Sequence, residues 1–133
     1  MGRALTASEI DLARVICPLH ELADPGAHGF TIGRGDWPLR GFVVRHGAEL
    51  RGYVNHCPHA GHPLNARPHA FLARDLPVIV CSSHGAVFEI ETGLCVAGPC
   101  AGARLRPIAL RIERGYVMLA DEVELCEPAD LGR

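Results

Sequence analysis

The chain has 133 residues, enough for one domain with its own core, and 48% of them are hydrophobic, as in globular proteins. Thirteen Lys and Arg against 15 Asp and Glu leave a formal net charge of −2, so the composition gives no basic footprint for nucleic acid. No run reaches the ~18 apolar residues of a membrane span, and four charges interrupt any signal-peptide core, at Arg3, Glu9, Asp11 and Arg14. We therefore expect one cytoplasmic domain over residues 1–133, with its core at about 10–120 and no membrane anchor.

Short runs of Val, Ile, Leu and Phe alternate with Gly, Pro and Asp turns along the chain, which predicts an all-β domain. In chain order the pattern predicts a helical turn at 7–11, strands at 13–19 and 28–34, and a hairpin of 40–46 with 49–55. Short strands follow at 78–81, 87–89 and 94–96, and a last hairpin pairs 105–112 with 116–120. No internal repeat and no second domain is indicated.

Two short segments each combine a cysteine with a histidine, directly after predicted strands. The first is Cys57-Pro58-His59 and the second is Cys81-Ser82-Ser83-His84. The first spacing is too short for the C-x₂₋₄-C knuckle of a zinc finger. Thiolates are soft donors that suit iron and sulfide, whereas neutral imidazoles donate without adding charge. Two thiolates and two imidazoles are the protein ligands of the [2Fe–2S] centre in which two His replace two Cys on one iron.

The segments CPHAGHPL at 57–64 and CSSHGAVF at 81–88, with TG at 92–93 and GP at 98–99, resemble the Rieske [2Fe–2S] domain family over about residues 10–120. The resemblance implies a Rieske-type antiparallel β-sandwich with a small cluster-binding subdomain formed by two loops. It also implies one [2Fe–2S] cluster per chain, with Cys57 and Cys81 on one iron and His59 and His84 on the other.

Three further features follow from that resemblance. Gly98-Pro99 would belong to a third loop that covers the cluster. Gly61 and Gly85 would let the backbone approach closely, with N–H groups directed at sulfur. The 21 residues between His59 and Cys81 exceed what is common in the family, and the excess is expected at 65–75.

The residues around the two segments bear on the reduction potential. In the Rieske proteins of cytochrome bc complexes, an extra cysteine in each loop forms a disulfide, and a Ser and a Tyr after the second His donate hydrogen bonds toward sulfur. The matching positions here are His62 and Ser83 for the disulfide, and Ala86 and Phe88 for the hydroxyls. Fewer donors give less stabilisation to the added electron, so we expect a potential near the bottom of the family range of roughly −150 to +300 mV.

The remaining cysteines and two histidines carry weaker signals. Cys17 forms a C-x-x-H with His20, but its apolar neighbours indicate a strand residue rather than a ligand. Cys95 and Cys100 could form a disulfide, although free thiols are expected in a reducing compartment. Cys126 carries no signal. His62 is an exposed loop residue or approaches the cluster or a partner, and His69 is expected to be solvated.

The resemblance and the length of the chain together indicate an electron carrier rather than an enzyme. A free-standing Rieske ferredoxin would take one electron from a reductase and pass it to an oxygenase or related redox enzyme, with no reaction of its own. Rieske oxygenase subunits are longer because they carry an additional catalytic domain. Two alternatives stay open: an accessory or redox-sensing module bound to a partner enzyme, and a structural zinc domain that uses the same four ligands.

Overall fold

The structure is a computed structural model that describes residues 11–58 and 61–128. In these two ranges ten strands form three antiparallel sheets, and two short 3₁₀ turns, Leu12–Arg14 and Leu19–Glu21, flank the first strand. The strands are β1 Val15–Pro18, β2 Gly26–Ile32, β3 Leu39–His46, β4 Glu49–Val54, β5 Val78–Val80, β6 Val87–Glu89, β7 Cys95–Ala97, β8 Pro107–Ile108, β9 Leu110–Glu113 and β10 Tyr116–Leu119. The predicted all-β class is confirmed, whereas the predicted helical turn at 7–11 lies outside the described residues apart from Asp11.

The three sheets form three layers. The first sheet has the order β1-β10-β9, the second β2-β3-β4-β8 and the third β5-β6-β7. One group of buried side chains, which includes Cys17, Val43 and Val117, joins the first and second sheets. Another group, which includes Phe42 and Phe88, joins the second and third. The second sheet therefore lies between the other two and is buried on both faces.

The sequence of β3 explains why the second sheet occupies the middle layer. Successive side chains of a strand point to opposite faces, so Val43 faces the first sheet while Phe42 and Val44 face the third. All three are fully buried, as expected for a continuous apolar run in a strand covered on both sides. Phe42 also stacks on Phe71, with ring centroids 4.2 Å apart and planes 8° from parallel. This stack attaches the long segment after the first cysteine–histidine loop to the second sheet.

The two predicted hairpins are confirmed, but one predicted strand is divided. β3 pairs with β4 across Gly47, and β9 pairs with β10 across Arg114 and Gly115, whose φ values of 53° and 82° are those of a tight two-residue turn. The single strand predicted at 105–112 is wrong. It is split into β8, which pairs with β4, and β9, which pairs with β10, so the chain passes between sheets at Ala109. Within the described ranges, no helix is long and apolar enough to cross a membrane.

Candidate metal centre

The two cysteine–histidine segments form loops at the ends of two strands that belong to different sheets. The first loop follows β4 and the second follows β5. Cys57 and Cys81 are each 1% exposed and belong to the same buried group between the second and third sheets. His84 is exposed to solvent, and His59 lies outside the described residues. The structure thus brings both predicted thiol ligands into one core and leaves the described imidazole at the surface.

The two loops have the same backbone geometry. In each, the cysteine N–H donates to the carbonyl five residues on, and the cysteine carbonyl accepts from the N–H of a glycine four residues on. The four N···O distances are Cys57 to His62 2.8 Å, Gly61 to Cys57 2.8 Å, Cys81 to Ala86 2.9 Å and Gly85 to Cys81 2.9 Å. The glycine φ values agree as well, at 74° for Gly61 and 73° for Gly85. C-x-H and C-x-x-H are therefore two sequences on one loop shape, with the histidine one position later in the second.

These hydrogen bonds correct the expected role of the two glycines. The N–H groups of Gly61 and Gly85 donate to cysteine carbonyl oxygens rather than toward sulfur. A Cβ at Gly85 would meet no atom within 4 Å, so close approach of protein atoms does not require glycine there. The left-handed φ does require glycine there, because residues with a Cβ adopt this backbone conformation only at a cost in free energy.

Direct contacts hold the two loops against each other. The Ser82 N–H donates to the Leu64 carbonyl oxygen at 2.8 Å. The His62 Nδ1 lies 3.4 Å from the Ser83 Oγ. His62 and Ser83 occupy the positions matched above to the disulfide of the cytochrome bc type, and the structure brings them together. A weak polar contact therefore replaces a covalent link at the same point between the loops.

Asn55 fixes both ends of the first loop, which the sequence patterns did not reveal. Its Oδ1 accepts from the Leu64 N–H at 2.7 Å, and its Nδ2 donates to the Asn65 Oδ1 at 2.8 Å. Its own N–H donates to the Arg40 carbonyl oxygen at 2.9 Å, which anchors it to the start of β3. An Asn directly after a strand and before a loop is a known turn-forming residue, and that was the available signal.

We expect Asn55→Ala to lower the free energy of unfolding by about 1–3 kcal/mol, because the Leu64 N–H loses its acceptor in a half-buried position. Urea unfolding of the purified protein measures this loss. Asn55→Asp is the matched control, since it keeps the oxygen that accepts from Leu64 and should retain most of the stability. Equal stability of the Ala variant and the original protein would contradict the role given to Asn55.

A third loop packs on the second ligand loop. Gly98 has a φ of 97°, and a Cβ built on it would lie 2.8 Å from the Ala86 Cα. Only a residue without a Cβ fits so close to that backbone. The segment Gly98-Pro99 thus packs beside the end of the second loop, with Pro99 exposed, and its covering of a cluster stays a prediction.

The other cysteines divide into a pair and two single residues. All six cysteines lie in the described part of the chain, and none is in a disulfide. The Cys100 thiol donates to the Cys95 Sγ, with the sulfurs 3.2 Å apart. Burial, together with this hydrogen bond, raises the pKa of Cys100 to about 12. Cys17 is buried in β1, as the strand interpretation predicted, and Cys126 is exposed.

The donor set suits a binuclear cluster. Residues 11–58 and 61–128 contain no group of three or more His, Cys, Asp or Glu side chains placed to hold a single ion. A [2Fe–2S] cluster of the mixed-ligand type requires fewer protein ligands around each metal ion, because each iron takes only two. The two buried thiols lie on loops of one shape, and the two loops contact each other directly. They match the two thiolate ligands of such a set.

Comparison with known proteins decides the family. The family model for the Rieske [2Fe-2S] domain matches residues 15–113 of this chain. The chain belongs to the Rieske [2Fe-2S] domain family. The match covers nearly all of the ten strands and both ligand loops, and [2Fe–2S] is the cofactor of the family. A search of curated proteins gave no significant match.

Several solved structures share the Rieske fold. The ferredoxin of carbazole 1,9a-dioxygenase from Nocardioides aromaticivorans IC177 is 23% identical, with a TM-score of 0.62, over 80% of this chain and 94% of that one. The Sphingomonas yanoikuyae B1 ferredoxin is 23% identical, with a TM-score of 0.57, over 86% and 97%. The terminal oxygenase of the Nocardioides system is 21% identical, with a TM-score of 0.62, over 89% of this chain but only 32% of that chain. At these identities the likeness establishes the fold.

Proposed function

We propose that this chain is a one-electron carrier, a Rieske ferredoxin component that accepts an electron from a reductase and delivers it to an oxygenase or related redox enzyme. In this proposal it catalyses no reaction of its own. Cys57, His59, Cys81 and His84 hold the cluster, in a single domain over residues 1–133 with its core at about 10–120. The cytoplasmic location predicted from the sequence is part of the same proposal.

The observation that carries the proposal is the contrast in burial between the two kinds of ligand. Cys57 and Cys81 are 1% exposed, whereas His84 faces solvent. When bound, a [2Fe–2S] cluster supplies a reversible one-electron couple. The buried thiols keep water from one side of that site, and His84 brings the other side to the surface. An exposed imidazole edge is where a partner protein can exchange an electron with the carrier.

The relatives support the kind of partner. The match with this chain covers 94% of the ferredoxin of carbazole 1,9a-dioxygenase but 32% of the terminal oxygenase chain. A further match, 22% identical with a TM-score of 0.62, is a complex of reduced oxygenase and oxidised ferredoxin in carbazole 1,9a-dioxygenase. The complex named in that match supports a redox partner of the oxygenase class, with which a carrier docks transiently. Such electron-transfer contacts bury little area.

The first experiment measures iron, acid-labile sulfide and zinc per chain in anaerobically purified protein, with an EPR spectrum after dithionite reduction. We expect two irons, two sulfides and a Rieske-type signal, as the family cofactor requires. One zinc without sulfide, persisting after cluster reconstitution, would instead establish the structural zinc domain. Stoichiometric capture of a partner without reversible cycling at an electrode would favour the accessory module.

We expect a reduction potential between roughly −150 and 0 mV, the lower part of the range for this type of cluster. Ala86 and Phe88 are 1% and 0% exposed and carry no hydroxyl that can donate to sulfur. Protein-film voltammetry measures the potential, and repeated cycles should each transfer one electron per chain. A potential well above zero would contradict the argument from missing donors. Phe88→Tyr is the matched variant, and it should raise the potential if its hydroxyl reaches a sulfur.

A further inference from the structure

Cys95 and Cys100 form a pair of thiols that the proposed carrier function does not use. Their sulfur atoms are 3.2 Å apart, and the Cys95 thiol in turn donates to the Ala97 carbonyl oxygen at 3.2 Å. Cys95 belongs to β7 and is 2% exposed, whereas Cys100 lies on the following turn and is half-buried. One thiol is therefore enclosed and the other is at the edge of solvent.

Backbone hydrogen bonds fix the two cysteines in this relation. The Cys95 N–H donates to the Ala103 carbonyl oxygen at 2.8 Å, and the Cys95 carbonyl oxygen accepts from the Gly102 N–H at 2.9 Å. The Ala103 N–H donates to the Cys100 carbonyl oxygen at 2.9 Å. A disulfide requires sulfurs about 2.05 Å apart, so they must approach by only about 1.2 Å. The backbone hydrogen bonds therefore already hold the two cysteines close to the separation that a disulfide requires.

We propose that Cys95 and Cys100 are a reversible dithiol–disulfide site, oxidised by low-molecular-weight disulfides. The Cys100 thiolate attacks one sulfur of the small disulfide, and the first small thiol leaves. Cys95, after losing its proton, then attacks the Cys100 sulfur of the mixed disulfide and releases the second small thiol. The two protein thiols give up two electrons and two protons, and the small disulfide is reduced to two thiols.

Exposure assigns the order of the two steps. Pro99 and Ala101, on either side of Cys100, are exposed, so a small disulfide reaches this sulfur first. Cys95 is too enclosed to react with an external reagent but is in contact with the Cys100 sulfur.

The position of the pair links it to the proposed cluster site, and this step rests on the proposed function. Cys100 packs against the buried group that contains Cys57 and Cys81, and its thiol also forms a hydrogen bond with Cys57. Closing the disulfide would draw the Cys100 sulfur toward Cys95, beside the buried group that contains Cys57.

The test equilibrates the iron-loaded protein anaerobically with mixtures of reduced and oxidised glutathione, then blocks remaining thiols by alkylation. Cleavage after Glu91 and Glu113 gives a peptide of residues 92–113, in which Cys95 and Cys100 are the only cysteines. We expect this peptide to change from doubly alkylated to unalkylated and lighter by two hydrogens as the fraction of oxidised glutathione rises. Cys126→Ser, at an exposed site elsewhere, should show the same conversion.

Two variants separate the steps. Cys95→Ser should stop at a glutathione adduct on Cys100, and Cys100→Ser should leave Cys95 alkylated only after unfolding. The proposal is overturned if the peptide stays doubly alkylated in fully oxidised glutathione. It is equally overturned by a stable adduct on Cys100 in the unmutated protein, or by a cross-link from Cys100 to the peptide that contains Cys57. Iron content and the EPR signal are recorded on the same samples, so failure of the carrier proposal is distinguished from failure of this one.

Discussion

Replacement of Cys57 or Cys81 by alanine is expected to leave the protein with almost no iron or acid-labile sulfide. Each thiolate is one of only two protein ligands to its iron in this type of centre, and alanine supplies no donor. Cys17→Ala is the matched control, because Cys17 is 4% exposed against 1% for each of the other two, yet packs between the first and second sheets. Iron, sulfide and the visible spectrum of the three variants, purified anaerobically, give the result.

The same design separates ligand loss from loss of packing. Each Cys→Ala change removes one buried sulfur, at a cost of roughly 1 kcal/mol in transfer free energy. The two ligand variants should lose more stability than Cys17→Ala, since the free energy of metal binding contributes to folding. His59→Ala and His84→Ala should also lose the cluster, with His20→Ala as the control on an exposed histidine. Full iron content in Cys57→Ala or Cys81→Ala would refute the assigned ligand set.

The sequence predicted those strands that are specified by neighbouring residues in the chain, such as apolar runs on either side of a turn. Residues 40–46 and 49–55 flank the turn residues Gly47 and Ala48, and the structure forms that hairpin as Leu39–His46 and Glu49–Val54. The stacking of the three sheets depends instead on contacts between segments that are distant in the sequence. Nothing in the pattern at 105–112 shows that Pro107–Ile108 pairs with one sheet and Leu110–Glu113 with another. Period-two alternation reports which side chains share a face, not which strand lies alongside.

The candidate site divides in the same way. Cys57, Cys81 and His84 could be proposed as ligands because two cysteine–histidine pairs occur together with TG at 92–93 and GP at 98–99, and their binding of a cluster stays a prediction. The common backbone shape of the two loops could not be predicted. The glycine comes four residues after the cysteine in both loops, whereas the histidine comes two residues after it in the first loop and three in the second. Contacts between distant segments were also hidden, such as the hydrogen bond of Cys100 with Cys57. These depend on how the third loop folds back, which no single segment encodes.

His69 makes contacts that its position in a long loop did not predict. The sequence placed it in the extra segment at 65–75 and predicted a solvated side chain. In the structure its ring stacks on His28 with centroids 4.1 Å apart, and its Nδ1 accepts from the Gly29 N–H at 3.0 Å. The prediction of a solvated residue is confirmed, since His69 is exposed, but the sequence did not show that the loop folds onto the edge of β2. Phe71 in the same segment is buried and holds it there.

Gly98→Ala is expected to reduce both stability and iron content, whereas Gly102→Ala is expected to reduce stability alone and by less. The two glycines have nearly equal backbone angles, with φ of 97° and 94°, so a side chain at either position costs about 1–3 kcal/mol in strain. Their surroundings differ. A Cβ at Gly98 would lie 2.8 Å from the Ala86 Cα and 3.3 Å from its nitrogen, while a Cβ at Gly102 would meet nothing within 4 Å.

The difference between these two variants therefore isolates the contact of the third loop with the second ligand loop. Ala86 cannot move far, because its carbonyl oxygen accepts from the Cys81 N–H at 2.9 Å and its side chain is 1% exposed. Relief of the clash must displace either the third loop or the backbone that positions Cys81. Urea unfolding and iron per chain, measured on both variants, separate strain from displacement. If Gly98→Ala and Gly102→Ala lose the same stability and both keep their iron, the third loop does not support the metal centre.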